Sequence, residues 1–424
     1  MPPLTPARPR RRAGVFISAI FFALASQSAH AELGALASAF ANPPADCRIM
    51  MRWWWFGPAV SETEIARELR VMKTAGIGGV EIQTVYPLAL DDPHTGFHNQ
   101  PYLSPEFLKS LRFAAVTARS LGLRVDITLG SGWPYGGPQT PITEAAGRLR
   151  IEPVPVSEGA RSLAVPALEN GESLIAAFAG NERIRDIHDG RAFPPSGTKM
   201  VQFFVSSRTG QQVKRASIGA EGFVLDHYDK AAIEHHISAV GDRLLSAFGD
   251  KPPYAVFSDS LEVYGSDWTD DLPAEFARRR GYDLIPDLPE LVSGAGKDSA
   301  KVRHDWGETL TELAEERYLT PIADWAHRHH TRFRSQTYGT PPVVLSSAVR
   351  VDLPEGEAGP QWRTFNTARW ASSANHLYGR NVTSTETWTW LHAPSFRATP
   401  LDMKAEADLH FIEGINQLIG HGWP

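Results

Sequence analysis

Eight short strand-like runs, separated by polar loops and amphipathic helices, constrain this chain more than anything else in it. They are centred near Trp53, Val80, Val125, Val256, Gln336, Val349, Val382 and Ile415. The opening units show the pattern. "IMMRWWWFG" reads as a strand, and "SETEIARELRVMKTAG" follows as a helix. Ser61 is its N-cap, Glu64 completes a capping box, Ile65, Leu69 and Met72 form its apolar face, and Gly76 stops it. "IGGVEIQTV", the helix "SPEFLKSLRFAAVTARSLG" and "LRVDITLG" repeat the rhythm. Strands alternating with helices call for a parallel sheet with crossover helices. Eight such units close into an α/β (β/α)8 TIM-type barrel, whose working face is the set of loops after the strands.

The rhythm breaks between about Arg148 and Gly222. "LRIEPVPV", "SLIAAFAG" and "KMVQFFVSS" are β-type runs among Gly, Pro, Asn and Asp, with no helical period. They predict a small β domain inserted after strand three. The expected organisation is a leader over 1–31, barrel over 32–147, insert over 148–221 and the rest of the barrel over 222–424. The leader combines the basic "RPRRR", the apolar "AGVFISAIFFALA", too short to span a bilayer, and "AHA" before Glu32 as a cleavage site. This predicts export to the periplasm or medium, with no membrane attachment after cleavage. The net charge is −6, and the leader holds four arginines and no acid, so the mature chain is more acidic still. An acidic exported protein is a poor partner for nucleic acid. Cys47 is the one cysteine and makes no internal disulfide. Oligomeric state leaves no mark in the sequence.

Twelve tryptophans and ten tyrosines point toward carbohydrate, because sugars pack apolar C–H faces on aromatic rings; core packing accounts for many of them. On the strand count, "SDSLE" leaves strand four and "STE" leaves strand seven, so Glu262 and Glu386 both fall at the working rim. Glycoside hydrolysis needs two carboxyl groups flanking the scissile bond, one protonated and one ionised. Asp259 competes with Glu262 for a role, and as a like charge it is expected to raise the pKa of Glu262. The other candidate sugar contacts on this rim are Trp133, Tyr264, Gln336, Tyr338, Trp388 and His421. "VDLPEGE", expected after strand six, offers Asp352, Glu355 and Glu357 either as oxygen ligands for calcium or as a solvated acidic turn. "EHH" at 234–236 and "HRHH" at 327–330 lack the spacing that sets two zinc ligands on one helical face. "GSGWPYGG" lacks the residues of a phosphate loop and reads as a sugar-facing wall carrying Trp133 and Tyr135. In "RWWWFG", alternation sends Trp53 and Trp55 to one face and Trp54 to the other.

Several of these stretches, together with "NPPADCRIMMRWWWFGPAV", "MKTAGIGGVEIQ", "RSQTYGTP" and "DLHFIEGINQLIGHGWP", resemble glycoside hydrolase family 106, the α-L-rhamnosidases. The resemblance covers most of the mature chain in the family's order. It implies an N-terminal catalytic barrel, hydrolysis with inversion, and a calcium ion contacting the sugar, for which Glu355 and Glu357 are the candidate ligands. It also implies Glu262 as general acid and Glu386 as general base, their carboxyls roughly 6.5–9.5 Å apart so that a water fits beneath a terminal α-linked rhamnose. Family members run on past the last strand, whereas "GINQLIGHGWP" has no closing helix, so the chain reads as a truncated form. Two alternatives stand beside this reading: a barrel glycosidase for another deoxy-sugar or a uronic acid, and a truncated glycan-binding protein without catalysis.

Overall fold

The computed structural model describes residues 33–357, 367–390 and 397–424. The leader expected over 1–31 lies outside the described residues. Eight strands form a closed barrel: β1 (Met50–Phe56), β2 (Gly79–Val85), β3 (Arg124–Ser131), β4 (Ala255–Ser258), β5 (Arg332–Gln336), β6 (Leu353–Glu357), β7 (Ser384–Thr387) and β8 (Gln417–Trp423). Each pairs in parallel with its sequence neighbours, and β8 closes on β1 through Met50 opposite Ile419. β2 is buried at every position, as expected of a strand with helices on one face and barrel interior on the other. The helix Glu62–Thr74 starts where Ser61 Oγ accepts from Glu64 N at 3.3 Å, and it buries Ile65, Leu69 and Met72 against the barrel. Ser104 caps the helix Pro105–Ser120 in the same way.

Three strands lie later in the chain than the apolar runs suggest. Val349 falls in the 3-10 helix Leu345–Arg350, and strand six is "LPEGE" itself. Val382 precedes β7, which is "STET", and Ile415 precedes β8. These strands are polar because their inward side chains meet charges inside the barrel rather than oil. Glu81 of β2, Asp126 of β3, Arg334 of β5, Glu355 of β6 and Arg52 of β1 are all buried. Arg52 Nε lies 2.7 Å from Glu81 Oε1, Arg334 Nε lies 3.2 Å from Asp126 Oδ2, and Arg334 also pairs with Glu81 and Glu355. The ring of Phe257 lies 5.0 Å from the Arg52 guanidinium and 4.3 Å from that of Arg334. Many barrels fill this space with branched apolar layers; here an ion-pair lattice fills it.

Between β3 and the helix Lys230–His236 lies a four-stranded antiparallel sheet in the order Gly147–Pro155, Met200–Arg208, Ser173–Ala179, Glu182–Ile184. Phe178 and Phe204 on one face pack with Trp268, Leu272 and Phe276 of the segment after β4, while Phe203, Val201 and Ile184 belong to a small separate core. The chain then returns to the barrel mouth, where Trp133 and Lys214 exchange two backbone hydrogen bonds of 3.1 and 2.9 Å.

Candidate active site

Alternation in β1 sets the first wall of a cleft at the C-terminal end of the barrel. Trp53 and Trp55 face the helices and pack edge-to-face at 5.4 Å, whereas Arg52, Trp54 and Phe56 face the opening. The cavity there measures about 420 Å³, within the range of small-molecule sites. Asp259, Ser260, Glu262, Glu357, Glu386, Thr389, His421, Trp133, Tyr86 and Arg215 line the rest of it. Glu262 and Glu386, some 120 residues apart in sequence, thus share one cleft.

Glu386 lies at the penultimate position of β7 and is buried. Its Oε2 accepts from Arg52 Nη1 at 2.7 Å and Gln336 Nε2 at 2.9 Å, and its Oε1 accepts from Thr389 Oγ1 at 2.7 Å. His421 Nδ1 lies 2.8 Å from Oε1, within ion-pair reach but without the angle of a hydrogen bond. Burial alone would raise its pKa, but Arg52 and His421 outweigh burial and hold the carboxyl well below its usual range. Asp259, also buried, accepts from Ser260 N at 2.8 Å and lies 3.4 Å from Arg52 Nη1. Burial, with the charge of Glu386, raises it to about 7 against the pull of Arg52. Glu357 is raised to about 7 by burial and by Glu386, although Tyr338 OH donates to its Oε2 at 3.0 Å.

Glu262 is placed differently. Lys214 Nζ donates to its Oε2, joined by Tyr264 OH at 3.2 Å and Trp133 Nε1 at 3.4 Å, and Ser260 Oγ donates to Oε1 at 3.2 Å. Asp259 faces Arg52, not Glu262, so the expected tuning of one by the other gives way to a lysine pair. The reason is strand pleat: β4 turns Asp259 inward, and the chain has left the barrel wall by Leu261–Glu262.

Of the candidate sugar contacts, Trp133, Asp259 and His421 line the cleft, the last edge-on to Trp54 at 5.2 Å. Tyr264 stands exposed at the rim beside Lys214 and Glu262. The other three do not line the cleft. Gln336 is buried and bridges Glu386 and Glu355, and Tyr338 OH donates to Gln336 Oε1 at 2.7 Å. Trp388 turns onto the helix Pro400–Ile412, its Nε1 donating to Met403 O at 2.9 Å. The three acids expected to hold calcium are dispersed. Asp352, at the opposite end of β6, lies 2.9 Å from His327 Nε2. Glu355 is taken up by Arg334, Ser384 and Gln336, a donor set that does not fit a cation. Of these three, Glu357 alone presents its carboxylate to the cleft. His236 Nε2 donates to Leu129 O at 2.8 Å and the ring stacks on Tyr135, and His327 pairs with Asp352.

Sequence reasoning missed Arg52, Trp54, Lys214 and Arg215. Arg52 carried a signal: an arginine inside a buried strand, in phase with Trp54, needs carboxylate partners. Lys214 and Arg215 carried none, since they sit in the segment assigned to the insert.

The α-L-rhamnosidase model of glycoside hydrolase family 106 matches residues 41–178 and 189–423. A protein of Formosa agariphila named "Putative beta-glucuronidase" is 23% identical over 92% of this chain and 38% of its own length. A rhamnosidase from Novosphingobium sp. PP1Y superposes with a TM-score of 0.71 at 17% identity, over 91% of this chain and 56% of that one. The likeness shows a shared fold, and the chain spans little more than half the length of that relative and less of the other.

Proposed function

The chain belongs to glycoside hydrolase family 106, and on that premise we propose that it removes terminal α-L-rhamnose from glycans or glycosides by an inverting two-carboxylate route. The observation that carries this reading is the pair of glutamates facing one cleft in opposite settings. Glu386, kept ionised by Arg52 and His421, suits the base that takes a proton from water. Glu262, at the rim among Ser260, Tyr264 and Trp133, suits the acid that protonates the departing oxygen. Delivering a proton requires Lys214 to release Glu262 Oε2, and the leaving oxygen arriving there is what would displace it. Trp54 and Trp133 offer faces for the sugar.

A hard cation such as calcium would be held by Glu357 rather than Glu355, and would supply a contact for vicinal hydroxyls. Calcium should then raise the melting temperature of the native chain but not that of Glu357→Gln; equal shifts in both would remove Glu357 as a ligand. Export through the 1–31 leader belongs to the same reading, and the intact mass of secreted protein, beginning at Glu32, tests it.

The roles of the two glutamates separate by substrate. Glu386→Gln should lower kcat/KM about 10²–10⁴-fold on both a rhamnosyl disaccharide and an activated aryl α-L-rhamnoside. Glu262→Gln should cost as much on the disaccharide and far less on the aryl glycoside, whose leaving group needs no proton. NMR of the first-formed rhamnose should show the β anomer, and the α anomer would overturn inversion. The name of the Formosa relative favours a second reading, in which the sugar released is itself a uronic acid. Cleavage of an aryl glucuronide in preference to the aryl rhamnoside would establish that reading instead.

A further inference from the structure

The leaving-group side of the cleft is the side where the proton donor stands, so the neighbours of Glu262 form it. Of these, Lys214 comes from a segment that returns from the inserted sheet and is clamped over the barrel mouth. Lys214 N donates to Trp133 O at 2.9 Å, Trp133 N donates to Lys214 O at 3.1 Å, and Tyr86 N donates to Arg215 O at 3.0 Å. Ser217 N donates to Ser131 Oγ at 2.9 Å, and Gln211 ties the segment to the strand end through Glu262 O at 2.8 Å and Tyr264 N at 2.8 Å. Gly132 lets the segment come this close, because a Cβ there would collide with the Lys214 carbonyl. Arg215 is held with φ of 56°, a left-handed backbone that is costly for a residue with a side chain and is found mainly where function or packing demands it.

The charges in this corner are unequal. Arg52 is taken up by Glu81 and Glu386, and Lys214 by Glu262 and Tyr264. Among the described residues Arg215 has no carboxylate within ion-pair distance and one side-chain hydrogen bond, Nη1 to Tyr86 OH at 3.4 Å. Its guanidinium lies 5.6 Å from the ring centres of both Tyr86 and Trp133, which orient it at the mouth. A guanidinium fork left open in a cleft matches a planar carboxylate with two parallel hydrogen bonds. On the other side of Glu262 the cleft carries Glu386, held ionised, which would repel an anion from the position of the sugar being released, and Asp259 and Glu357 would add to that repulsion as they ionise.

Resting on the rhamnosidase reading above, we propose that the group to which the rhamnose is attached is an acidic sugar, a uronic acid whose carboxylate is received by Arg215. The anion is thereby held on the leaving-group side, with Trp133 and Tyr86 flanking its ring. A sulfated sugar would present an anion to the same fork.

The test compares kcat/KM of the 424-residue chain on α-L-rhamnosyl-glucuronic acid, the same disaccharide with its carboxyl reduced to the alcohol, a 6-sulfated counterpart and an aryl α-L-rhamnoside. The expected result is a preference of roughly 10- to 100-fold for the uronate over the reduced compound, weakening as salt is added. In Arg215→Gln the ratio should fall to near one, and in Arg215→Lys it should be intermediate, since the charge remains and the fork is lost. Equal rates on uronate and reduced compound in the native chain, with the aryl rhamnoside cleaved, would overturn this proposal alone. Failure on every rhamnoside would overturn the function it rests on. A preference for the sulfate over the uronate, or a uronate preference that survives in Arg215→Gln, would also overturn it.

Discussion

Glu386 and Glu262 look into the same cleft, yet the first is fixed by the barrel and the second by a loop that the inserted sheet sends back to it. The Glu386 side is buried: Arg52 is shared among Glu386, Glu81 and Asp259, and Gln336 and Thr389 complete the hydrogen bonding. The Glu262 side is open, with side-chain exposures of 35% for Glu262 and 27% for Lys214. Charges in the first region are part of the core and must be balanced for the barrel to fold. Those in the second are solvated and free to rearrange around a substrate. The difference suits a base that keeps one protonation state and an acid that must exchange partners during turnover.

The comparison is tested most severely at Arg52. Arg52→Gln leaves buried carboxylates without their cation, a change that costs about 3–5 kcal/mol when one partner of a buried pair is removed. Chemical denaturation should show a loss of that order together with loss of activity. A variant of native stability would mean that the barrel side is no more tightly bound than the rim.

Asp259 gives the next largest effect, and it depends on pH. Its folded pKa of about 7 lies above the ordinary 3.8, so the folded state binds the extra proton between those values. Stability from this group is therefore present at low pH and is lost as pH rises toward about 7. Asp259→Asn cannot ionise, so relative to the native chain it should gain stability by up to a few kcal/mol across that window, each pKa unit being worth about 1.4 kcal/mol. Glu386, held low, acts in the opposite sense: its contribution disappears only as pH falls through its depressed pKa. Melting temperatures of both chains across this range check the sign, and parallel curves would show that Asp259 is not strained by burial.

The smallest effect on stability is expected at the rim. Lys214→Met breaks a half-exposed pair and should change stability by only ~0–1 kcal/mol, while kcat/KM on a rhamnosyl disaccharide changes by a larger factor. A stability loss equal to that of Arg52→Gln would erase the distinction between the two sides.

How much of this was legible beforehand differs from strand to strand. β1 to β4 and their first helices could be read directly, since "VEIQTV" and "VDITL" alternate apolar and polar residues, "YAVFS" is mostly apolar, and Ser61 and Ser104 mark helix starts by hydrogen bonds made within four residues. β6 and β7 could not. "LPEGE" contains a proline, a glycine and two acids, yet it is a central strand: Glu355 meets Arg334, and a Cβ at Gly356 would strike the backbone of Ala368. For "STE", the strand was read as centred near Val382, whereas it lies over Ser384–Thr387, with Glu386 near its C-terminal end facing the cleft. The compensating charge comes from another strand: for Glu355 from the preceding β5, and for Glu386 from Arg52 of β1, at the other end of the chain.

By itself the sequence determined the alternation of strand and helix, the break where the β sheet is inserted, and the two glutamates, because periodicity, capping and short acidic motifs are local properties. Only the tertiary structure decided that Arg52 serves Glu386, that Gln336, Tyr338 and Trp388 do not line the cleft, and that Lys214 comes back to stand beside Glu262 with Arg215 next to it in the same cleft. Those outcomes depend on barrel closure. Closure brings side chains more than 300 residues apart to hydrogen-bonding distance and sets the pleat that turns each one inward or outward, and neither can be read from any single stretch of the chain.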